Sequence, residues 1–175
     1  MSCIPSKEEM QRTLEARHGK ELQEKFSGST VAICGLGGLG SNIAVSLARS
    51  GIGRLILIDF DKVDISNLHR QQYRANQIGC CKTDALKENL QEIAPYLDIV
   101  IHTVRMEENN LTELLQDADI ICEAFDDAEA KAMLVNGVLE KLHTKYLIAA
   151  SGMAGLGSAN SIKTRRVFLY TKIVV

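Results

Sequence analysis

The segment Gly35-Leu36-Gly37-Gly38-Leu39-Gly40 follows a short apolar run, Val31-Ala32-Ile33-Cys34, and opens a stretch of helical periodicity. Glycine permits the tight turn that such a junction needs. Without Cβ atoms, the backbone N–H groups can also approach a phosphate at the helix N-terminus. Asp59 stands 19 residues beyond Gly40 and closes a second apolar run, where a carboxylate can accept hydrogen bonds from ribose hydroxyls. Strand, glycine turn, helix, strand and acid in this order point to a bound nucleotide. They do not distinguish a redox dinucleotide from a triphosphate.

Further side chains bear on that choice. The segment after Asp59 reads Asp61-Lys62-Val63-Asp64-Ile65-Ser66-Asn67-Leu68-His69-Arg70-Gln71. Lys82 opens a later helical pattern, and Phe125-Asp126-Asp127 follows another apolar run. In a doubly wound sheet the carboxyl ends of the strands and the helix N-termini share one edge, so these groups can converge on the glycine turn. Attack on the α-phosphate of ATP spreads negative charge over the transferred group and the departing pyrophosphate. Positioned Arg and Lys stabilise that charge, and a carboxylate can hold Mg²⁺. The single bridging pyrophosphate of a dinucleotide has little use for Arg70, Lys82 and Asp126 together. Taken singly, Arg70 and Lys82 read as solvated charges, and Asp126 or Asp127 as a helix N-cap. Taken as a set, they favour a triphosphate over an NAD-dependent oxidoreductase.

The elements that must position these residues alternate. VAIC, RLILID, DIVIHTV, DIICEAF, YLIAASG and RRVFLY read as strands. Between them, SNIAVSLARSG, KTDALKENLQEIA, TELLQDA and AEAKAMLVNGVLEKLH read as helices, with stripes such as Leu86, Leu90 and Ile93, or Leu134, Val138 and Leu142. The pattern predicts an α/β fold: a doubly wound, mostly parallel Rossmann-like sheet with helices on both faces. Residues 1–28 form a helix-favouring extension, interrupted at Gly19, with Leu14, Leu22 and Phe26 as sparse apolar anchors onto the main domain or a partner subunit. Residues 29–175 form the nucleotide-binding domain. The polar connection from Phe60 to Gly79 is long for a compact domain, and its content favours function.

Composition narrows the classes. A net charge of −2 gives no electrostatic case for nucleic acid or an anionic membrane. No apolar run approaches the roughly 20 residues of a membrane span, and the N-terminus lacks a signal-peptide core. Five cysteines, an odd number with Cys80 and Cys81 adjacent, make a poor disulfide framework and favour a reducing cytoplasm. The absence of a CxxC pair argues against zinc.

GLGGLGSN, LIDFDKVDISNLHRQ, Ile78-Gly79-Cys80-Cys81-Lys82 and EAFDD together resemble the ThiF/MoeB/HesA adenylyltransferases, relatives of the ubiquitin-activating enzymes. ARHGKELQEKF and AASGMAGLGSAN look more particularly like compact ThiF-family proteins of thiamine metabolism. The resemblance covers about residues 10 to 166. It implies that Gly35, Gly37, Gly38 and Gly40 shape the nucleotide loop, with Asp59 on the ribose and Asp61 beside it. It further implies Asn67, Arg70 and Lys82 on the phosphates, Asp126 organising Mg²⁺, and Arg17 delivered into the neighbouring subunit of a homodimer. The implied reaction is adenylation of the C-terminal glycine carboxylate of a ubiquitin-like, ThiS-like sulfur carrier ending in Gly-Gly, with release of pyrophosphate. Alternatives are a nucleotide-binding but catalytically impaired member, or one acting on a modified tRNA base. The zinc-binding CxxC pairs and crossover-loop cysteine of longer relatives have no counterpart here, which favours adenylation without a thioester step. Cys34 and Cys122 read as inert strand residues. The chain also stops soon after RRVFLYTKIVV, where relatives continue, which puts part of the carrier-binding surface in doubt.

Overall fold

The computed structural model describes residues 4–150, 163–168 and 171–174. Seven strands build one sheet: β1 Thr30–Cys34, β2 Arg54–Ile58, β3 Asp98–His102, β4 Ile120–Glu123, β5 Tyr146–Ala150, β6 Thr164–Phe168 and β7 Thr171–Val174. Their order is β3-β2-β1-β4-β5-β7-β6, and every pair is parallel except β6–β7. The chain therefore winds outward from β1 to β3, then crosses to the other side of β1 at β4. That reversal opens a crevice beyond the carboxyl ends of β1 and β4, where doubly wound sheets bind ligands. The predicted α/β architecture is the observed one.

Alternation along the strands feeds two cores. Val31, Ile33, Leu55 and Leu57 face helices α3 (Gly38–Arg49) and α4 (Lys82–Ile93), packing with Ala44, Ala48, Leu86 and Leu90. Ala32, Cys34, Ile56, Ile58 and Ile121 face α5 (Leu111–Leu115) and α6 (Ala128–Lys141), packing with Leu111, Leu115, Leu134 and Val138. Each fully buried leucine contributes roughly 2 kcal/mol, so both faces are anchored and the carboxyl edge between them is held firmly. Burial pushes the Cys34 thiol well up, with smaller contributions from Cys122 and Glu123, and raises Cys122 to about 11. Both strand cysteines are buried.

The N-terminal extension divides where Gly19 adopts φ +83°, giving α1 (Lys7–His18) and α2 (Lys20–Ser27). Ser6 and Glu9 form a reciprocal capping box that starts α1. One anchor is corrected. Leu22 is exposed, and its neighbour Gln23 is the buried residue of α2. Gln23 donates to the Gly51 carbonyl at 3.2 Å and pairs with His18 at 2.8 Å, so docking onto the end of α3 selects a polar anchor. No residue of α1 is buried.

Two segments depart from the expected pattern. The helix expected at TELLQDA begins one residue earlier and is short. Thr171–Val174 forms a strand that the sequence, with Lys172 in a short run, does not announce. Most of AASGMAGLGSAN, the last two residues of YLIAASG and the end of RRVFLY lie outside the described residues. Among the described residues no helix is long and apolar enough to cross a membrane.

Candidate active site

A cavity of about 590 Å³ lies over the carboxyl ends of β1, β2 and β4. Gly35 leaves β1 with φ +93° and its N–H on the Ile58 carbonyl. A Cβ at Gly35 would stand 2.8 Å from the Ala124 carbonyl oxygen, so glycine is required both by the dihedral and by the approach of β4. Gly37 caps α3 and, with Gly38, lines the cavity, which puts the start of the helix beside the space where a phosphate would sit. Gly40 does not line it. A Cβ there would lie 1.8 Å from the Gly35 carbonyl oxygen, so this glycine closes the turn from behind.

Asp59 is buried at the cavity wall. Its Oδ2 accepts from the Leu36 N–H at 2.6 Å and its Oδ1 from the Asp61 N–H at 2.8 Å. The carboxylate thereby fixes both the glycine turn and the start of the long connection, while each oxygen keeps a further lone pair for a hydroxyl donor.

The polar connection is pinned throughout. Antiparallel pairing of Lys62 with Cys81 joins its two ends. Short 3₁₀ turns at Ile65–Asn67 and Ala75–Gln77 fold its middle. Asn42 of α3 donates to the Gly38 carbonyl at 2.6 Å and the Arg70 carbonyl at 3.1 Å. The Tyr73 hydroxyl donates to the Leu36 carbonyl at 2.7 Å, and burial, reinforced by Asp59 and Asp61, pushes its pKa up. The loop is thus fastened to the glycine turn it faces.

The predicted residues come together on this scaffold. Asn67, Arg70, Lys82, Asp61 and Asp126 all line the cavity with Gly35, Gly37, Gly38 and Asp59. Arg70 lies across Gly38 and donates from Nη2 to Asn67 Oδ1 at 2.8 Å, which holds its guanidinium toward the glycine turn. Lys82, the first residue of α4, is buried, and its Nζ is 2.7 Å from Asp61 Oδ2. Of the two adjacent aspartates, Asp127 is the N-cap of α6, accepting from the Ala130 N–H at 2.8 Å. Asp126 makes no hydrogen bond or ion pair among the described residues. That division fits Mg²⁺ at Asp126, since this ion is commonly held by one or two carboxylates together with substrate phosphates. The described residues contain no cluster of three or more His, Cys, Asp or Glu that would cage a metal by themselves. Besides Gly40, Arg17 is an exception. It stands exposed in the last turn of α1 and does not line its own chain's cavity, so a part in this site requires a second subunit.

Sequence reasoning missed other groups. Arg105, after β3, stacks over the Phe60 ring with 5.3 Å between its guanidinium carbon and the centroid, and both line the cavity. Glu123, at the end of β4, receives Lys131 Nζ on both carboxylate oxygens at 2.9 Å, and its Oε1 also accepts the Phe125 N–H at 2.7 Å. Lys131 further reaches the Ala150 carbonyl at 3.2 Å. Only the strand end EAFDD and a lysine four residues after the Asp127 cap hinted at this strut.

The sheet order, the glycine turn at its switch point and the acid closing β2 define a Rossmann-like α/β domain. Within that class the assignment is narrower. A model of the ThiF family matches residues 10–169, and the chain belongs to that family. It is 32% identical over 136 residues to the adenylyltransferase and sulfurtransferase MOCS3 of Aedes aegypti, covering 77% of this chain and 31% of that protein. It is 35% identical over 113 residues to the molybdopterin-synthase adenylyltransferase of Haemophilus influenzae, covering 64% of this chain and 46% of that protein. The chain thus spans under half the length of either relative. Among solved structures, E. coli tRNA N6-threonylcarbamoyladenosine dehydratase in complex with ATP superposes with a TM-score of 0.83 at 23% identity. That match covers 93% of this chain and 68% of the other, and it shows the shared fold.

Proposed function

We propose that this chain binds ATP with Mg²⁺ and adenylates the C-terminal glycine carboxylate of a ubiquitin-like sulfur carrier protein. One observation carries the reading: Arg70, Lys82 and Asp126 share one cavity with the glycine turn. The relatives named above as adenylyltransferases support the reaction class. The finer reading, a ThiS-like carrier in thiazole formation, rests on the ARHGKELQEKF and AASGMAGLGSAN segments; the homodimer rests on Arg17, and the cytoplasmic location on the odd number of cysteines.

In this reading the base and ribose lie toward Asp59, Phe60 and Val104, and the phosphates toward Gly37, Arg70 and Lys82. The carrier's carboxylate, already ionised at neutral pH, attacks the α-phosphorus. The bond from that phosphorus to the bridging oxygen breaks, the acyl-adenylate forms, and pyrophosphate leaves with the electron pair. No general base is required. The chain's own work is alignment by the pinned loop and stabilisation of developing charge by Arg70 and Lys82. When bound at Asp126, Mg²⁺ neutralises charge on the phosphates. Arg17 of a partner subunit completes the cation set.

The test is ATP–pyrophosphate exchange with candidate Gly-Gly carriers, beside a second arm offering tRNA. The reading expects carrier-dependent exchange, and Asp126→Ala lowers it by at least roughly 100-fold while ATP binding changes much less. Full activity in that variant removes Asp126 from the metal site. Turnover with tRNA alone replaces the carrier by a modified base as substrate.

A further inference from the structure

Gln71 follows Arg70 in the pinned connection and lines the same cavity. It is only 7% exposed, and its Oε1 is the one buried side-chain oxygen or nitrogen without a hydrogen-bond partner among the described residues. Its Nε2 also makes no hydrogen bond among them, and lies 3.9 Å from where a Cβ on Gly37 would project. Every comparable neighbour is satisfied. Gln72 donates to Asn42, Gln77 donates to Asn89 and Glu88, and Tyr73 donates to Leu36.

A buried carboxamide oxygen without a donor destabilises the folded chain, and a methionine or leucine of similar size would fill the same space without that loss. The position of the other amide atom explains the arrangement. Nε2 sits against the first turn of α3, where the backbone N–H groups of the glycine turn already favour an anion. We propose that Gln71 is a ligand-binding residue whose Nε2–H donates to a phosphate oxygen of a nucleotide lying over Gly37. The unmet Oε1 is the energetic consequence of holding that donor in place. The proposal deepens the nucleotide reading above and rests on it. It needs neither the carrier nor the adenylation step.

Two measurements on Gln71→Met decide it, with Gln71→Leu as a second variant should the first not fold cooperatively. Calorimetric titration with ATP is expected to show affinity reduced about tenfold, the size of one hydrogen bond to a charged acceptor. Adenosine, which lacks phosphates, is expected to bind the variant and the parent alike. Thermal unfolding of the ligand-free variant is expected at the same or a higher Tm. Retained ATP affinity overturns the proposal. So does a lowered Tm with ATP and adenosine weakened in equal measure, because that marks a packing residue. If the unmutated chain binds no ATP, the nucleotide reading itself falls, and that result is distinct from either outcome in the variant.

Discussion

Two lysine–carboxylate pairs stand at the carboxyl edge of the sheet, Lys82–Asp61 beyond β2 and Lys131–Glu123 beyond β4, and they are built to opposite ends. In the first, the lysine side chain is 8% exposed while its partner carboxylate is 50% exposed, so the cation is sheltered and its counter-ion is open to water. In the second, the carboxylate is 1% exposed and the lysine 22%. Glu123 has nowhere else to place its charge: Lys131 occupies both oxygens and the Phe125 N–H shares one of them. Asp61 can turn to solvent whenever an anion takes its place on Lys82. In the proposed reading one pair is a poised binding group, while the other is a strut at the turn carrying Asp126. A buried ion pair contributes little net stability when intact, yet breaking it leaves a charge in a medium that cannot solvate it.

The strut is where substitution has its largest consequence. Lys131→Met leaves Glu123 without its partner and is expected to lower unfolding stability by about 3 kcal/mol, measured by urea denaturation with an unchanged m-value. Pyrophosphate exchange falls as well, since the β4–α6 turn loses its shape. A stability change below about 0.5 kcal/mol would place this pair with ordinary surface bridges and erase the contrast.

Lys82→Ala is expected to act the other way round. Exchange drops by roughly 100-fold if, as proposed, this cation stabilises the departing phosphates. Stability shifts by about 1 kcal/mol or less, since Asp61 is free to hydrate. If urea denaturation shows a loss equal to that of Lys131→Met while exchange follows the folded fraction alone, Lys82 is structural and the two pairs are alike.

Much of this was legible in residues whose meaning is set by the backbone. Gly35 must be glycine because of its dihedral and the neighbouring strand, and such a demand shows in sequence as a fixed type at a strand–helix junction. Asp59 closes β2, and chain order alone puts it opposite the glycine turn. Arg70, Lys82 and Asp126 could be gathered on paper because topology, not packing detail, decides which edge they share. The strut was not legible in the same way. Glu123 and Lys131 meet only because a buried strand end and a helix face point at one another, and neither type is unusual at its position. Leu22 and Gln23 fail for a related reason. Which of two adjacent helical residues is buried depends on how α2 docks against Gly51, and hydrophobicity alone favours the wrong one. Gln71 resembles any loop glutamine until its unmet oxygen is seen.

The smallest effect sharpens the comparison most. Asp61→Asn keeps the shape of its side chain and its backbone bonds, including the Lys82 N–H on the Asp61 carbonyl at 2.9 Å, but removes the charge that holds the ammonium. If Asp61 is a placeholder that yields to phosphate, the ligand-free chain should lose about 1 to 2 kcal/mol, less than Lys131→Met, because the sheltered Lys82 ammonium loses its counter-charge but keeps a neutral amide oxygen as acceptor. ATP should then bind slightly better, by about two- to threefold, because less attraction must be given up on binding. Titration at two salt concentrations separates this from general electrostatics. A gain from a single short-range pair persists at 0.5 M salt, where the Debye length is only a few ångströms, whereas one from removing a distant negative charge is screened away. A loss of ATP affinity would instead mean that Asp61 holds Lys82 in its binding posture, and the sheltered cation would prove to need its partner as much as Glu123 needs Lys131.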